Sequence, residues 1–414
     1  MAPAVLGSLK NFTLLLLALV LPFGSAEAAE AKKLVARGIG GQEFLAFEQL
    51  VDTAKYDPKR DAYFVLLPDG HEAELTLDHR LQVSLERLLA AGRVAAGAIV
   101  MTEPRTGRVL ALAGRNESGS LPSYALRAVA PAASVFKVVT SAALIEAGVD
   151  PDREVCFHGG KHRIEEKNLD DDTRRDNKCA SLSMALGKSI NLVFGKLASR
   201  LLTTKSLEQM ASRFFFNQAL PVFPRPRTDS DMMVSPARIP DKQHDRLDFG
   251  RTAAGFGQVR LSPLHGAVLA GTIANNGLAV APRIIEAVWR DGKRDDLVPT
   301  RQERVVSEAT AEKIVHMMER TVKEGTARKS FHVGRGLALG KITVAGKTGT
   351  LNDKETSRDN SWFIGFAPAE APVVTVSALA VNGPKWKVRA AALARDALKA
   401  FFQVDSPRAR RGVH

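Results

Sequence analysis

Three short runs of the 414-residue chain carry side chains that could make and break an acyl bond. The first is Ala133-Ser134-Val135-Phe136-Lys137. Ser134 and Lys137 are three apart, so on a helix they share one face with Cβ atoms roughly 5 to 6 Å apart. A lysine buried there loses the solvation of its charged form, its pKa falls, and the neutral amine can take the proton of a serine hydroxyl. The Ser134 amide, free at a helix N-terminus, would face any negative charge developing beside it. The second run, Gly187-Lys188-Ser189-Ile190-Asn191, is a polar break between two apolar helical stretches. A hydroxyl at Ser189 can relay protons there, and an amide at Asn191 can hold a carbonyl. The third, Ala345-Gly346-Lys347-Thr348-Gly349-Thr350, ends a strand-like run. Alternation puts Lys347 and Gly349 on one side, the hydroxyls of Thr348 and Thr350 suit a carboxylate, and the Thr350 amide can act as a second oxyanion donor. Singly, each run reads equally as a chance pair in a buried helix, a helix N-cap, and a strand entering a turn. Their order, S-x-x-K then S-x-N then K-T-G, sets them apart.

Elements of both kinds must hold these residues. Pro131 precedes Ser134 while Gly148 and Pro151 follow it, which predicts a helix of about four turns. That helix is apolar nearly all round, so it belongs at the centre of a domain. Upstream, Tyr63–Leu67 reads as a strand before the turn Pro68-Asp69-Gly70, and Leu81, Leu85, Leu88 and Leu89 mark an amphipathic helix. Gly97–Thr102 and Gly107–Leu112 read as a strand pair joined by a Pro-containing turn. The pattern then stays mostly helical to about Thr326. Three more strands follow at Ile342–Ala345, Ser361–Phe366 and Val373–Leu379, with a closing amphipathic helix over Val388–Phe402. The expected fold is α+β: an antiparallel sheet flanked by N- and C-terminal helices, with a large all-helical insertion at about 115–326.

The composition is that of a globular protein, with 45% hydrophobic and 25% charged residues. The net charge of +13 favours polyanions, but the basic residues are scattered apart from the tail Arg408-Ala409-Arg410-Arg411. Only three Trp and three Tyr are present, so there is no aromatic and basic interleaving of the kind nucleic-acid binding needs. Phe12–Phe23 with Gly24-Ser25-Ala26-Glu27-Ala28 reads as a signal peptide or a membrane anchor, cleavage being the favoured reading. The body of the chain is therefore expected in the periplasm or another extracytoplasmic space. In that setting the only two cysteines, Cys156 and Cys179, read as a disulfide closing a loop of about 24 residues for roughly 3 kcal/mol. A Cys/His metal site with His158 and His162 is the alternative.

The three runs resemble the transpeptidase domain of the penicillin-binding proteins, in the penicilloyl-serine transferase superfamily. Leu75-Thr76-Leu77-Asp78 with Leu81-Gln82, Gly257-Gln258 through Ser262-Pro263-Leu264 to Asn275-Asn276-Gly277, Gly325-Thr326-Ala327 and Trp362–Pro368 are also similar to the family's segments. The resemblance implies a chain divided into a signal or anchor (1–28), a short N-terminal extension (29–73), a transpeptidase domain (74–404) and a basic tail (405–414). It implies Ser134 as nucleophile, Lys137 as its base, and Ser189 as proton relay helped by Lys347. Asn191 would hold the peptide, Thr348, Gly349 and Thr350 the carboxylate end, and the amides of Ser134 and Thr350 the oxyanion. The implied activity is a D,D-transpeptidase that cross-links peptidoglycan stem peptides and is acylated by β-lactams, without metal or organic cofactor. A D,D-carboxypeptidase, an endopeptidase, a β-lactamase-like hydrolase and an acylatable division scaffold remain alternatives. The short stretch upstream of Glu74 implies that a separate glycosyltransferase or wall-assembly protein is a partner, and leaves the outer face of the cytoplasmic membrane open as a contact surface.

Overall fold

The computed structural model describes residues 46–223, 245–297, 302–333, 336–353, 357–383 and 386–403, with the backbone of short strands at 35–37, 43–45 and 225–226. The proposed signal or anchor and the basic tail lie outside the described residues. Among the described residues no helix is long and apolar enough to cross a membrane.

Ala62–Leu66 (β1) and Glu72–Leu75 (β2) flank the expected turn, where Gly70 at φ 88° donates to the Leu67 carbonyl. Asp78 then caps His79–Ala91 (α1) by accepting from the Leu81 amide, and Leu81, Leu85 and Leu89 face inward from that helix. Ala96–Thr102 (β3) and Val109–Asn116 (β4) pair antiparallel. Every residue of β3 is buried, so its sheet is covered on both faces.

The predicted four-turn helix after Pro131 is built in two parts. Ala133–Phe136 form a 3₁₀ turn, and Lys137–Glu146 (α2) continue it as α-helix, with Lys137 through Ile145 all buried. The 3₁₀ start follows from Ala133, whose φ of 50° breaks the regular helical path directly before Ser134. Glu154–Phe157 (β5) and Lys178–Ser181 (β6) then form a hairpin in which Cys156 and Cys179 face each other and are disulfide-bonded. Leu182–Lys188 (α3) and Asn191–Leu201 (α4) follow, separated by left-handed Ser189. Arg246–Ala253 (α5) and Pro263–Ala274 (α6) complete this helical group, α6 being buried along its whole length.

Ile285–Arg290 (β7) pairs with β2, so a second sheet runs in the order Lys293–Asp296, β7, β2, β1, Lys55–Asp57. The stretch 115–326 is therefore not all-helical as expected: among its described residues the helices alternate with hairpins such as β5-β6 and the pairing of β7 with Lys293–Asp296. After Glu308–Lys323 (α7) come Ala345–Asp353 (β8), Arg358–Ala367 (β9), Val374–Asn382 (β10) and the closing helix Ala390–Gln403 (α8).

The main sheet runs β8-β9-β10-β3-β4, ending in the short strand Gly119–Ser120. Alternation along β9 sends Phe363 into a core with Leu81, Leu85, Leu393 and Ala394 of α1 and α8. Trp362 and Ile364 enter the opposite core with α2 and α6. Strand β8 is the sheet's edge, so half its backbone groups are free to meet something other than a strand.

Candidate active site

The 3₁₀ turn bearing Ser134 lies against edge strand β8, and small residues make that approach feasible. A Cβ on Gly349 would stand 3.2 Å from the Ala132 carbonyl oxygen and 3.3 Å from the Ala133 Cβ. Gly255, at φ +88°, passes so close over the same turn that a Cβ would sit 1.9 Å from the Ala133 carbonyl oxygen. The Trp362 indole N–H donates to the Pro131 carbonyl at 2.8 Å, tying β9 to the chain just before Ser134.

Lys137 is wholly buried and its Nζ has three partners: Ser134 Oγ at 2.7 Å, Asn191 Oδ1 at 2.6 Å and the Ala254 carbonyl at 2.8 Å. Asn191 opens α4, and its Nδ2 donates to the His162 carbonyl at 2.6 Å, so its Oδ1 is the atom facing Lys137. Asn191 Oδ1 and the Ala254 carbonyl can only accept. Burial, with Lys347 nearby as a second cation, pushes the Lys137 pKa well below the ordinary lysine value. A neutral amine has two N–H groups and one lone pair. With both N–H groups used by the two acceptors, the lone pair is left for the Ser134 hydroxyl to donate into.

Ser189 occupies the left-handed cap of α3 at φ 55° and accepts from Lys347 Nζ at 3.1 Å. Lys347 also donates to the Thr348 carbonyl at 2.8 Å, and burial lowers its pKa to about 7. The Thr348 hydroxyl shares a short hydrogen bond with that of Thr326. Ser134, Ser189, Asn191, Thr348 and Thr350 line one cleft of about 430 Å³, with both lysines beneath its surface. Gly349 is buried below Thr348 and Thr350, where it serves the contact with the serine turn.

Cys156 and Cys179 lie apart from these groups but are linked to them through the segment they bracket. His158 contacts Asp176 Oδ1 at 2.5 Å and the Lys167 carbonyl at 3.1 Å, which occupies both ring nitrogens. Buried Lys196 of α4 donates to Asp176 and to the Cys156 carbonyl, each at 2.8 Å. Burial works to raise the Asp176 pKa, but the hydrogen bonds from Lys196 and His158 outweigh it and hold the carboxyl at about 2. The segment so anchored presents the His162 and Lys161 carbonyls to Asn191, the latter accepting from its backbone N–H at 2.9 Å.

Sequence reasoning missed the Ala254 carbonyl, Gly255, Phe256 and Arg389, the last two of which also line the cleft. Backbone carbonyls leave no signature in residue type. The small-residue run Ala253-Ala254-Gly255 was the one available signal, since a buried helix start needs neighbours without bulk.

A family model described as the penicillin binding protein transpeptidase domain matches residues 97–399. The chain is 28% identical over 358 residues to peptidoglycan D,D-transpeptidase PbpA of Mycobacterium tuberculosis, covering 76% of this chain and 68% of that one. It is 25% identical over 364 residues to peptidoglycan D,D-transpeptidase MrdA of Acinetobacter baumannii, covering 76% of this chain and 51% of the relative. The fold is similar to that of M. tuberculosis penicillin-binding protein A solved as an imipenem acyl-enzyme complex. That structure has a TM-score of 0.64 at 26% identity, over 81% of this chain and 80% of that one.

Proposed function

The chain belongs to the penicillin-binding protein transpeptidase family, and from that premise we propose that it is a peptidoglycan D,D-transpeptidase acting outside the cytoplasm through an acyl-enzyme on Ser134. The observation that carries the reading is the set of partners around Lys137: two obligate acceptors and the Ser134 hydroxyl.

Neutral Lys137 takes the Ser134 proton as Oγ attacks the carbonyl carbon of the penultimate D-alanine. The tetrahedral oxygen is held by the Ser134 and Thr350 amides, and collapse breaks the C–N bond. Ser189 gives its proton to the leaving amine nitrogen and is replenished by Lys347, which already donates to it. Asn191 holds the donor peptide, and the Thr348 and Thr350 hydroxyls take its terminal carboxylate. An acceptor amine then attacks the ester carbonyl and gives up a proton through Ser189 to Lys347, the C–O bond to Ser134 breaks as the new amide forms, and the Ser134 oxygen recovers its proton from Lys137. A β-lactam enters the same path as a cyclic amide whose leaving nitrogen stays tethered, so the acyl-enzyme persists.

Transfer and hydrolysis share every step up to the acyl-enzyme. They separate when purified protein is given a D-Ala-D-Ala stem peptide with a labelled amine acceptor. The proposal predicts a labelled amide product that rises with acceptor concentration at the expense of the free acid. Free acid alone at saturating acceptor would make the protein a carboxypeptidase.

A further inference from the structure

The buried ring of His158 takes no part in the proposed acyl transfer. It lies inside the segment bracketed by Cys156 and Cys179, its side chain only 5% exposed. Nδ1 meets Asp176 Oδ1 at 2.5 Å and Nε2 meets the Lys167 carbonyl at 3.1 Å. A backbone carbonyl can only accept, and so can an ionised carboxylate. Asp176 keeps its charge: burial works against it, but donation from Lys196 and His158 holds its pKa at about 2. Two acceptors require two N–H groups, so in this arrangement the ring is an imidazolium. Asp176 lies between that ring and buried Lys196 of α4, whose three N–H groups point at Asp176, Asp171 and the Cys156 carbonyl. The other charges around the ring are engaged as well. Asp171 also pairs with Arg200 at 2.6 Å, Lys178 donates to the Gly159 carbonyl at 2.9 Å, and the Lys167 and Glu166 side chains pair with Glu165 and Arg246.

The contact from His158 to the Lys167 carbonyl closes a turn that serves the site. Within it the Lys161 carbonyl accepts from the Asn191 backbone N–H at 2.9 Å and the His162 carbonyl from Asn191 Nδ2 at 2.6 Å, which leaves Asn191 Oδ1 facing Lys137 Nζ at 2.6 Å. Nδ1 is held by a carboxylate and Nε2 by a neutral carbonyl, so a proton lost from the ring leaves from Nε2. A bare lone pair then faces the Lys167 carbonyl oxygen, and the closure becomes a contact between two acceptors. We propose that His158 is a positioning residue: as an imidazolium it clamps the turn from 158 to 167, and through Asn191 it holds Lys137 on the Ser134 hydroxyl. This rests on the proposed acyl-enzyme reading. Acylation is then fast while the ring is charged and slow once it is neutral.

Two measurements on the full chain test this. The first needs no variant: long-range ¹H–¹⁵N correlation on histidine- and asparagine-labelled wild type, with His158 assigned among the nine histidines, followed from acid to alkaline pH. An imidazolium is expected at the acid end, and its deprotonation should shift the Asn191 side-chain amide signals in the same step. A ring that is a neutral tautomer throughout, or one that titrates while Asn191 stays unmoved, overturns the proposal. The second compares benzylpenicillin acylation, as rate constant over dissociation constant, between wild type and His158→Gln over the same range. Any limb that comes from Lys347 is common to both proteins and cancels in their ratio. The ratio should be at least about ten-fold while the wild-type ring is charged, the cost of a displacement near 1 Å at the reacting groups, and should fall toward one across the step seen by the ring. A ratio that keeps one value across that step is what a merely structural histidine gives, and overturns the proposal. Wild type that benzylpenicillin does not acylate would overturn the acyl-enzyme reading, while a shared titration of His158 and Asn191 would still support the clamp.

Discussion

At the scale of single residues the proposed chemistry divides between two buried lysines with separate tasks. Lys137 must be neutral to accept a proton, and its burial, with Lys347 as a second cation nearby, shifts its pKa well down in that direction. Lys137→Met is expected to slow penicillin acylation by about 10²- to 10⁴-fold, the usual weight of a positioned base, read from the rate of adduct formation by mass. Lys347, with a pKa of about 7, is protonated below that pH and neutral above it. As the proton source for Ser189 it should give acylation an alkaline limb near pH 7, with the rate falling as pH rises through it. The same shift affects stability. The folded pKa lies below the ordinary 10.5, so between pH 7 and 10.5 the unfolded chain binds a proton that the folded chain does not. Stability gained by raising the pH should therefore accumulate across that window. Lys347→Met should abolish that slope and raise the unfolding temperature by a few degrees at pH 7 while disabling the site, and calorimetry at several pH values checks both. Ser134, Lys137, Ser189, Asn191 and Lys347 were legible from sequence because a side chain's identity is its signal. The Ala254 carbonyl that completes the lysine's environment was not, since any residue can supply it.

At the scale of elements the site depends on how closely three pieces of backbone approach one another. The 3₁₀ turn of Ser134 is confined between β8 and the Ala253-Ala254-Gly255 segment. Gly255→Ala would force a Cβ against the Ala133 carbonyl in a backbone conformation that L residues resist. It should lower the unfolding temperature and cut the acylation rate by at least about ten-fold, because a displacement near 1 Å at a nucleophile is costly. Asn191 depends likewise on the segment anchored by the disulfide hairpin, where Lys196 neutralises Asp176. Lys196→Met should leave that carboxylate buried without its cation, lowering the unfolding temperature by several degrees with a fall in kcat. Periodicity revealed α1, the paired strands β3 and β4, and the closing helix, because each has a regular apolar pattern. It did not reveal the 3₁₀ start at Ala133 or the pairing of β7 with β2. A positive φ at alanine has no residue signature, and contacts between Ile285–Trp289 and Glu72–Leu75 span about half of the chain.

At the scale of the whole molecule, one sheet with helices on both faces supports a cleft along its edge strand. The motifs that supply it, near residues 134, 189 and 347, are spread along the chain and meet only in the complete fold. Their convergence is what the order of the three runs implied and what composition could not. The central claim is that this assembly makes Ser134 a nucleophile. The most direct measurement is intact mass after adding benzylpenicillin, on wild type and on Ser134→Ala, followed over hours. A single adduct of the full penicillin mass is expected on the wild type, persisting for hours, and none on Ser134→Ala. An adduct that forms equally on Ser134→Ala, or folded wild type that neither gains the mass nor hydrolyses the drug, would contradict it.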